Sequence, residues 1–334
     1  MTFELISVSL IAPIVGLLIE KEIVMKRKVS IALAVALLAV SATPAQAGVQ
    51  SGVSSWGLDR IDQATATLDG LYDYPDSAGA GVRVYILDTG VQGNLAGFEG
   101  RVATGFDALA GFRARSQSNV DCNGHGTAVA GVVASATYGV AKQATIVPVR
   151  VADCRGGVSP AWIVKGIDWI IKNHPRNTPG VANFSVSVGN SVAVNNAVLK
   201  LYNAGIVPVV AGGNQNMDAC RLSPASSGKA LVVGSINMND QRTNTSNFGE
   251  CISIFAPGGL ITTEGLRGVP STRSGTSFSA PHVAGVIALY LSTNSGVKPA
   301  EVIWEITRNG VAGGVIDAKS VNGNIILNTA FLNQ

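Results

Sequence analysis

Three short, glycine-bounded segments carry the side-chain types that acyl transfer needs. They are a carboxylate in Asp88-Thr89-Gly90, an imidazole in Gly124-His125-Gly126-Thr127 and an alcohol in Gly275-Thr276-Ser277. Acid, base and nucleophile in that chain order form one of the known arrangements in which a histidine takes the proton of a serine hydroxyl while a carboxylate fixes the imidazole tautomer. Ser277 precedes an apolar run, 283–291, with Gly285 and Ala288 interleaved, which reads as a buried helix. A serine in the first turn of such a helix lies where free backbone N–H groups and the positive end of the helix dipole favour developing negative charge. Pro281 places the helix start here, because a proline is tolerated in the first turn and disruptive further in. Each segment also has a plain structural reading: Ser277 as a helix cap, Asp88 as a turn residue after a strand, His125 as a packed residue at a helix start.

The elements that must position these groups follow from the apolar pattern. Residues 82–87 form an apolar, β-branched run that predicts a buried strand ending at Asp88, where α/β sheets place their ligand crevice. His125 leads into a small-residue apolar run, 128–136, read as a helix. Strands at 145–151, 181–187, 206–210 and 231–235 then alternate with helices at 161–171 and 192–203. An amphipathic helix follows at 298–308, and 314–332 reads as irregular or short strand. The alternation predicts an α/β fold in three layers, a mostly parallel central sheet with helices on both faces. Loops at strand ends then form the site, and one of them, Ala211-Gly212-Gly213-Asn214, offers a carboxamide that could donate to an oxyanion or simply serve the turn.

Competing chemistries find less support. Asp-Thr-Gly also occurs in aspartic proteases, but these need two carboxylates sharing a proton, and no second Asp-Thr-Gly or Asp-Ser-Gly occurs in the chain. There are three histidines, His125, His174 and His282, and no H-E-x-x-H, so a zinc hydrolase is not supported. His174, between Asn173 and Pro175, reads as a solvent-facing loop residue, and His282 as a structural helix residue. The 334 residues are 47% apolar and 13% charged, with 39 glycines and a formal charge of +3. That balance suits one large α/β domain and gives nucleic-acid binding no footing.

The N-terminus reads as a targeting segment. Residues 25–47 combine Met25, the basic Lys26-Arg27-Lys28, an apolar core at 29–40 and Ala45-Gln46-Ala47, the pattern of a secretory signal cleaved near Ala47. Residues 1–24 then read as an upstream extension, and 48–334 as one catalytic domain without a linker; the rival is a membrane tether built from one or both apolar runs. The mature part is expected outside the membrane, secreted or periplasmic, and monomeric. Four cysteines, Cys122, Cys154, Cys220 and Cys251, suit an oxidising compartment. Two disulfides fit better than a zinc site, since no C-x-x-C occurs, and three pairings are possible.

Taken together, the three segments with Pro281-His282-Val283-Ala284-Gly285 resemble the signature blocks of subtilisin-like serine proteases. Residues 54–61, Ser246-Asn247-Phe248-Gly249 and Phe255-Ala256-Pro257-Gly258 are similar to the proteinase K and aqualysin-like subfamily. The resemblance spans about residues 50–310. It implies peptide-bond hydrolysis through an acyl-enzyme on polypeptide substrates, with Ser277 as nucleophile, His125 as general base and Asp88 as its orienting acid. It also implies Asn214 and the Ser277 N–H as oxyanion donors, and pairing of Cys122 with Cys154 and of Cys220 with Cys251. Gly156, Gly157, Ser187, Val188 and Gly189 would line the substrate strand, with apolar or aromatic residues preferred before the cut. No cofactor is required for the chemistry.

Four departures from that pattern stand out. Only 48–54 separate the signal from the mature-like start, leaving no propeptide there, and Phe278 stands where the family usually has Met. Ala128 replaces a second histidine. Ser253 falls where a calcium ligand is usually acidic, so calcium, which prefers carboxylate oxygens, is in doubt as a structural ion and the metal sites stay unknown. The missing propeptide, Phe278 and Ser279 motivate an alternative, a secreted binding protein with little or no turnover on the same scaffold.

Overall fold

Apolar runs that are buried on both sides become adjacent parallel strands in the computed structural model, which describes residues 47–110, 120–320 and 322–333, all within the compact unit Gln46–Gln334. The expected upstream extension and nearly all of the expected signal segment lie outside the described residues. The strands are β1 (Ala47–Ser51), β2 (Leu71–Pro75), β3 (Arg83–Asp88), β4 (Phe106–Asp107), β5 (Thr145–Arg150), β6 (Gly180–Phe184), β7 (Val188–Gly189), β8 (Val207–Ala211), β9 (Leu222–Ser223), β10 (Leu231–Ile236), β11 (Ile254–Pro257), β12 (Ile261–Thr263), β13 (Ser271–Arg273), β14 (Val311–Ala312) and β15 (Ile325–Ile326). The α-helices are α1 (Trp56–Ile61), α2 (His125–Ala134), α3 (Pro160–Asn173), α4 (Val192–Asn203), α5 (Thr276–Thr293) and α6 (Pro299–Arg308).

Nine strands form the main sheet in the order β14-β15-β11-β10-β8-β6-β3-β5-β4. Every pairing is parallel except β14 with β15. Side chains alternate between two cores, as the pleat requires. Val84 and Ile86 of β3 face a core shared with α2 and α5, whereas Tyr85 and Leu87 face one shared with α3 and α4. The expected three layers are therefore present, with a helical layer on each face of the sheet.

Helix signals explain most element ends. α4 has buried residues at Val194, Ala197, Val198 and Leu201, the spacing of a single helical face, and the Ser191 hydroxyl accepts from Val194 N–H. α3 buries Ile163, Gly166, Ile167 and Ile170 and starts after Ser159, with Pro160 in its first turn. Two expectations need correction. The helix carrying the histidine starts at His125 itself, three residues before the apolar run. Pro281 is the sixth residue of α5, not a first-turn residue.

The sheet topology locates the site. The chain leaves β3 through α2 to β5 on one side, then crosses through α3 to β6 on the other side of β3. At such a reversal the loops beyond the strand carboxyl ends diverge and leave a crevice. Asp88 ends β3, Ser185 follows β6, and Asn214 follows β8 by three residues. Behind the crevice α5 packs on the turn that follows α2, where a Cβ at Gly285 would stand 2.5 Å from the Val140 Cβ, tighter than real carbon contacts allow. We therefore expect Gly285→Val to destabilise the fold by about 1–3 kcal/mol, read as a lowered urea midpoint in a Ser277→Ala background; an unchanged midpoint would show that this contact has slack.

Candidate active site

The site is built from three loop ends and the first turn of α5. Asp88 is fully buried, and its Oδ1 accepts from the Thr89 N–H and from His125 Nδ1, both at 2.8 Å. A carboxylate offers only acceptors, so Nδ1 carries the proton and Nε2 is left as the basic atom of the neutral ring. Burial alone would lower the His125 pKa, but the Asp88 charge and its hydrogen bond outweigh burial and hold it above its ordinary 6.5. The ring keeps contact with water, its side chain being 27% exposed.

Asp121, which the sequence did not single out, organises the turn that delivers His125. Its Oδ1 accepts from Asn123 N–H at 3.0 Å, Gly124 N–H at 2.8 Å and the Thr89 hydroxyl at 2.9 Å. Its Oδ2 accepts from both the Thr127 N–H and hydroxyl. One buried carboxylate thus satisfies several donors around the start of α2 and ties them to the residue after Asp88. An aspartate a few residues ahead of a predicted helix is the sequence signal for this role. Gly126 has no room for a side chain, since a Cβ there would collide with the Gly90 carbonyl oxygen.

The segment around Ser277 shows why Pro281 is tolerated so deep in α5. A proline has no N–H, so the carbonyl four residues back, that of Ser277, loses its helical partner. The Ser185 hydroxyl donates to that carbonyl at 2.8 Å, and Asn183 Nδ2 donates to the Ser185 oxygen at 2.9 Å. The Ser277 hydroxyl in turn donates to the Ser185 carbonyl at 3.3 Å, and no hydrogen bond joins it to His125 in this state. Phe278, next along, is 3% exposed and sets its ring edge-on to the His125 imidazole with centroids 5.4 Å apart. The Ser277-Phe278 segment and His125 are therefore immediate neighbours.

Asn214 is fixed by its oxygen. Oδ1 accepts from the Thr276 N–H at 2.9 Å and from the Thr276 hydroxyl at 3.1 Å; among the described residues the NH2 has no partner, and the residue is exposed. Asn247, fully buried, braces the same loop through Nδ2 to the Gly212 carbonyl and Oδ1 from Gln215 and Met217 N–H groups. Gly213 and Gly275 adopt positive φ values of 102° and 130°, which lets the two backbones come together.

The remaining expected residues fall as follows. Gly156 and Gly157 are exposed in the loop between Ala152 and Val158. Val188 and Gly189 form β7, paired antiparallel with Ser223 and Leu222 of β9, and Ser187 lies just before it. Disulfides join Cys122 to Cys154 and Cys220 to Cys251, with Cα atoms 5.2 and 5.4 Å apart. The first ties the loop before His125 to the loop after β5. His282 is fully buried; Nδ1 donates to the Phe278 carbonyl, Nε2 has no partner, and burial pushes its pKa down to about 4, so the ring is neutral packing. His174 is not a solvent-facing loop residue: it ends α3, donating from Nε2 to the Thr178 carbonyl and accepting from the Tyr85 hydroxyl. At the position expected for a calcium ligand, Ser253 offers a hydroxyl that already accepts from Val232 N–H, so that residue does not fit the ion.

Comparison with known proteins agrees with this geometry. A family model described as the subtilase family matches residues 79–324. An extracellular serine proteinase of Thermus sp. (strain Rt41A) is 42% identical over 280 residues, 83% of this chain and 67% of that protein. An alkaline serine exoprotease A of Vibrio alginolyticus is 43% identical over 268 residues, 80% of this chain and 49% of that protein. The chain thus spans about half to two thirds of the length of these curated relatives. A solved structure of a cold adapted subtilisin-like serine proteinase superposes with a TM-score of 0.78 at 40% identity, covering 84% of this chain and 99% of that one. With the parallel sheet, the crevice at its carboxyl ends and the matched segments in agreement, the chain belongs to the subtilase family.

Proposed function

We propose that the protein is an exported serine endopeptidase that cleaves polypeptides through an acyl-enzyme on Ser277. The observation that carries this is the Asp88–His125 hydrogen bond, which fixes the tautomer with a basic Nε2 beside the nucleophile segment. Rotation of the Ser277 side chain exchanges its long bond to the Ser185 carbonyl for one to Nε2. His125 then takes the hydroxyl proton as Oγ attacks the scissile carbonyl, and returns it to the departing amine. The developing oxyanion is held by Asn214 Nδ2 and the first-turn N–H of Ser277, donors already oriented before substrate arrives. Water then attacks the acyl-enzyme with the same proton transfers. The substrate lies between the Gly156-Gly157 loop and the segment from Ser187 to Gly189, with an apolar or aromatic residue before the cut. No cofactor takes part in these steps.

Several outcomes follow. The protein should hydrolyse casein and bind a fluorophosphonate covalently at Ser277, and Ser277→Ala should abolish both; folded wild-type protein that takes no label would favour a non-cleaving binding protein on the same scaffold. Asn214→Ala should lower kcat by about 10²–10³ with a smaller effect on KM, the cost usual for one oxyanion donor. Because Asp88 raises the His125 pKa, kcat/KM should rise with pH through a midpoint above 6.5. In Asp88→Asn that limb should shift to lower pH as kcat falls by about 10⁴; an unshifted acid limb would mean a different group titrates. Ser185→Ala strips the Ser277 carbonyl of its donor while leaving every triad group present, and should cost about 1–2 kcal/mol of stability by urea unfolding.

A further inference from the structure

The β12–β13 hairpin carries the strand that leads into the nucleophile and is anchored on the helix that begins with the base. Thr263 Oγ1 donates to the Ala128 carbonyl at 2.9 Å, and the Ser135 hydroxyl donates to Glu264 Oε1 at 2.7 Å. Glu264 is the hairpin's one carboxylate; it is 6% exposed and occupied by this bond. The two cations, Arg267 and Arg273, both reach solvent. The charge that the hairpin shows to the cleft is therefore positive.

Arg273 is placed where that charge matters. It ends β13, opposite the buried Ile261, four residues before Ser277. Its Nη2 would stand 3.7 Å from a Cβ built on Gly124, with Leu266 packed beside the same point, so the guanidinium lies against the residue preceding His125. The His125 ring feels it as a charge opposed to Asp88 and Asp121. Among the described residues no carboxylate comes within 4.0 Å of Arg273, and its side chain makes no hydrogen bond. A partly buried guanidinium, neither paired nor stacked, is poised to gain from an incoming anion.

We infer that Arg273 is a specificity-determining residue that favours an acidic side chain at the first or second position after the cleaved bond. The inference rests on the peptidase reading above and extends it to the leaving-group side. In that reaction His125 hands its proton to the departing amine, so the segment bearing the amine runs past the flank of the ring occupied by Gly124 and the hairpin. In that reading the acyl side takes the Gly156-Gly157 loop and the segment from Ser187 to Gly189, which leaves the hairpin whose β13 runs into Ser277 to the leaving-group side.

The test uses internally quenched peptides with one fixed acyl side and Glu, Gln or Lys at each of the two positions after the cut. Wild-type protein should show kcat/KM about 3–10-fold higher for Glu than for Lys at low salt, with the ratio shrinking toward one in about 0.5 M salt. Arg273→Gln should bring the ratio near one and Arg273→Glu should invert it. A ratio unchanged in Arg273→Gln, or an Arg273-dependent charge preference found only before the cut, would overturn the inference. Cleavage of the Gln peptide by wild-type protein reports separately on the peptidase reading. If that peptide is not cut, fluorescence anisotropy of the same peptides on Ser277→Ala, with and without Arg273→Gln, still decides the point: tighter Glu-peptide binding that needs Arg273 supports it, and equal binding refutes it.

Discussion

A carboxylate shut away from water at the end of β3 is the constraint that the rest of the site answers to. Burying such a group is costly unless donors are fixed around it, and here they come from two directions. The Thr89 N–H closes a tight turn on Oδ1, and His125 brings a ring N–H to the same oxygen from the start of α2. The positive end of that helix points at the same place. For the approach to be this close the residue after the histidine must lack a side chain, and Gly126 satisfies that condition. Asp121 then secures the turn from the outside, so a burial requirement in the core becomes a defined orientation of one imidazole in the crevice.

A second consequence of burial concerns α5, which is enclosed on nearly all sides and so cannot satisfy stray backbone groups with water. Pro281 deprives the Ser277 carbonyl of its helical donor, and the protein meets the need with the Ser185 hydroxyl, itself backed by Asn183 on β6. The proline thereby couples the Ser277 backbone to the end of the neighbouring strand. Thr276 performs a matching task on the other side, holding the Asn214 oxygen with both its N–H and its hydroxyl, which leaves the NH2 for the oxyanion role proposed for it. Groups fixed in this way need little rearrangement when charge develops, which is where most catalytic advantage arises.

Much of this could be read along the chain, and the failures have identifiable causes. Asp88, His125, Ser277 and Asn214 stand out in the sequence because each lies at one end of an apolar run, within two residues of a glycine. The bounds of α4 were predicted to the residue because a serine cap and a single apolar face agree at that point. Pro281 was misread because the first-turn rule assumes that the orphaned carbonyl has no substitute donor, and the substitute here comes from 92 residues away. Ser185 shares that difficulty, since its partner lies 92 residues on, and Arg273 takes its meaning only from the Gly124 backbone it is folded against. His174 looked like a loop residue beside a proline, yet the Tyr85 hydroxyl on β3 makes it part of the packing.

The most direct check on the preorganised site is a crystal structure with a peptide boronic acid, whose boron becomes tetrahedral on the attacking oxygen. Boron should be bonded to Ser277 Oγ, with one boron oxygen within hydrogen-bonding distance of both Asn214 Nδ2 and the Ser277 N–H. His125 Nδ1 should still rest on Asp88, and Ser185 should still donate to the Ser277 carbonyl. Boron bound at any other atom, or an Asn214 side chain turned away from the boron oxygen with its bond to Thr276 broken, would contradict it.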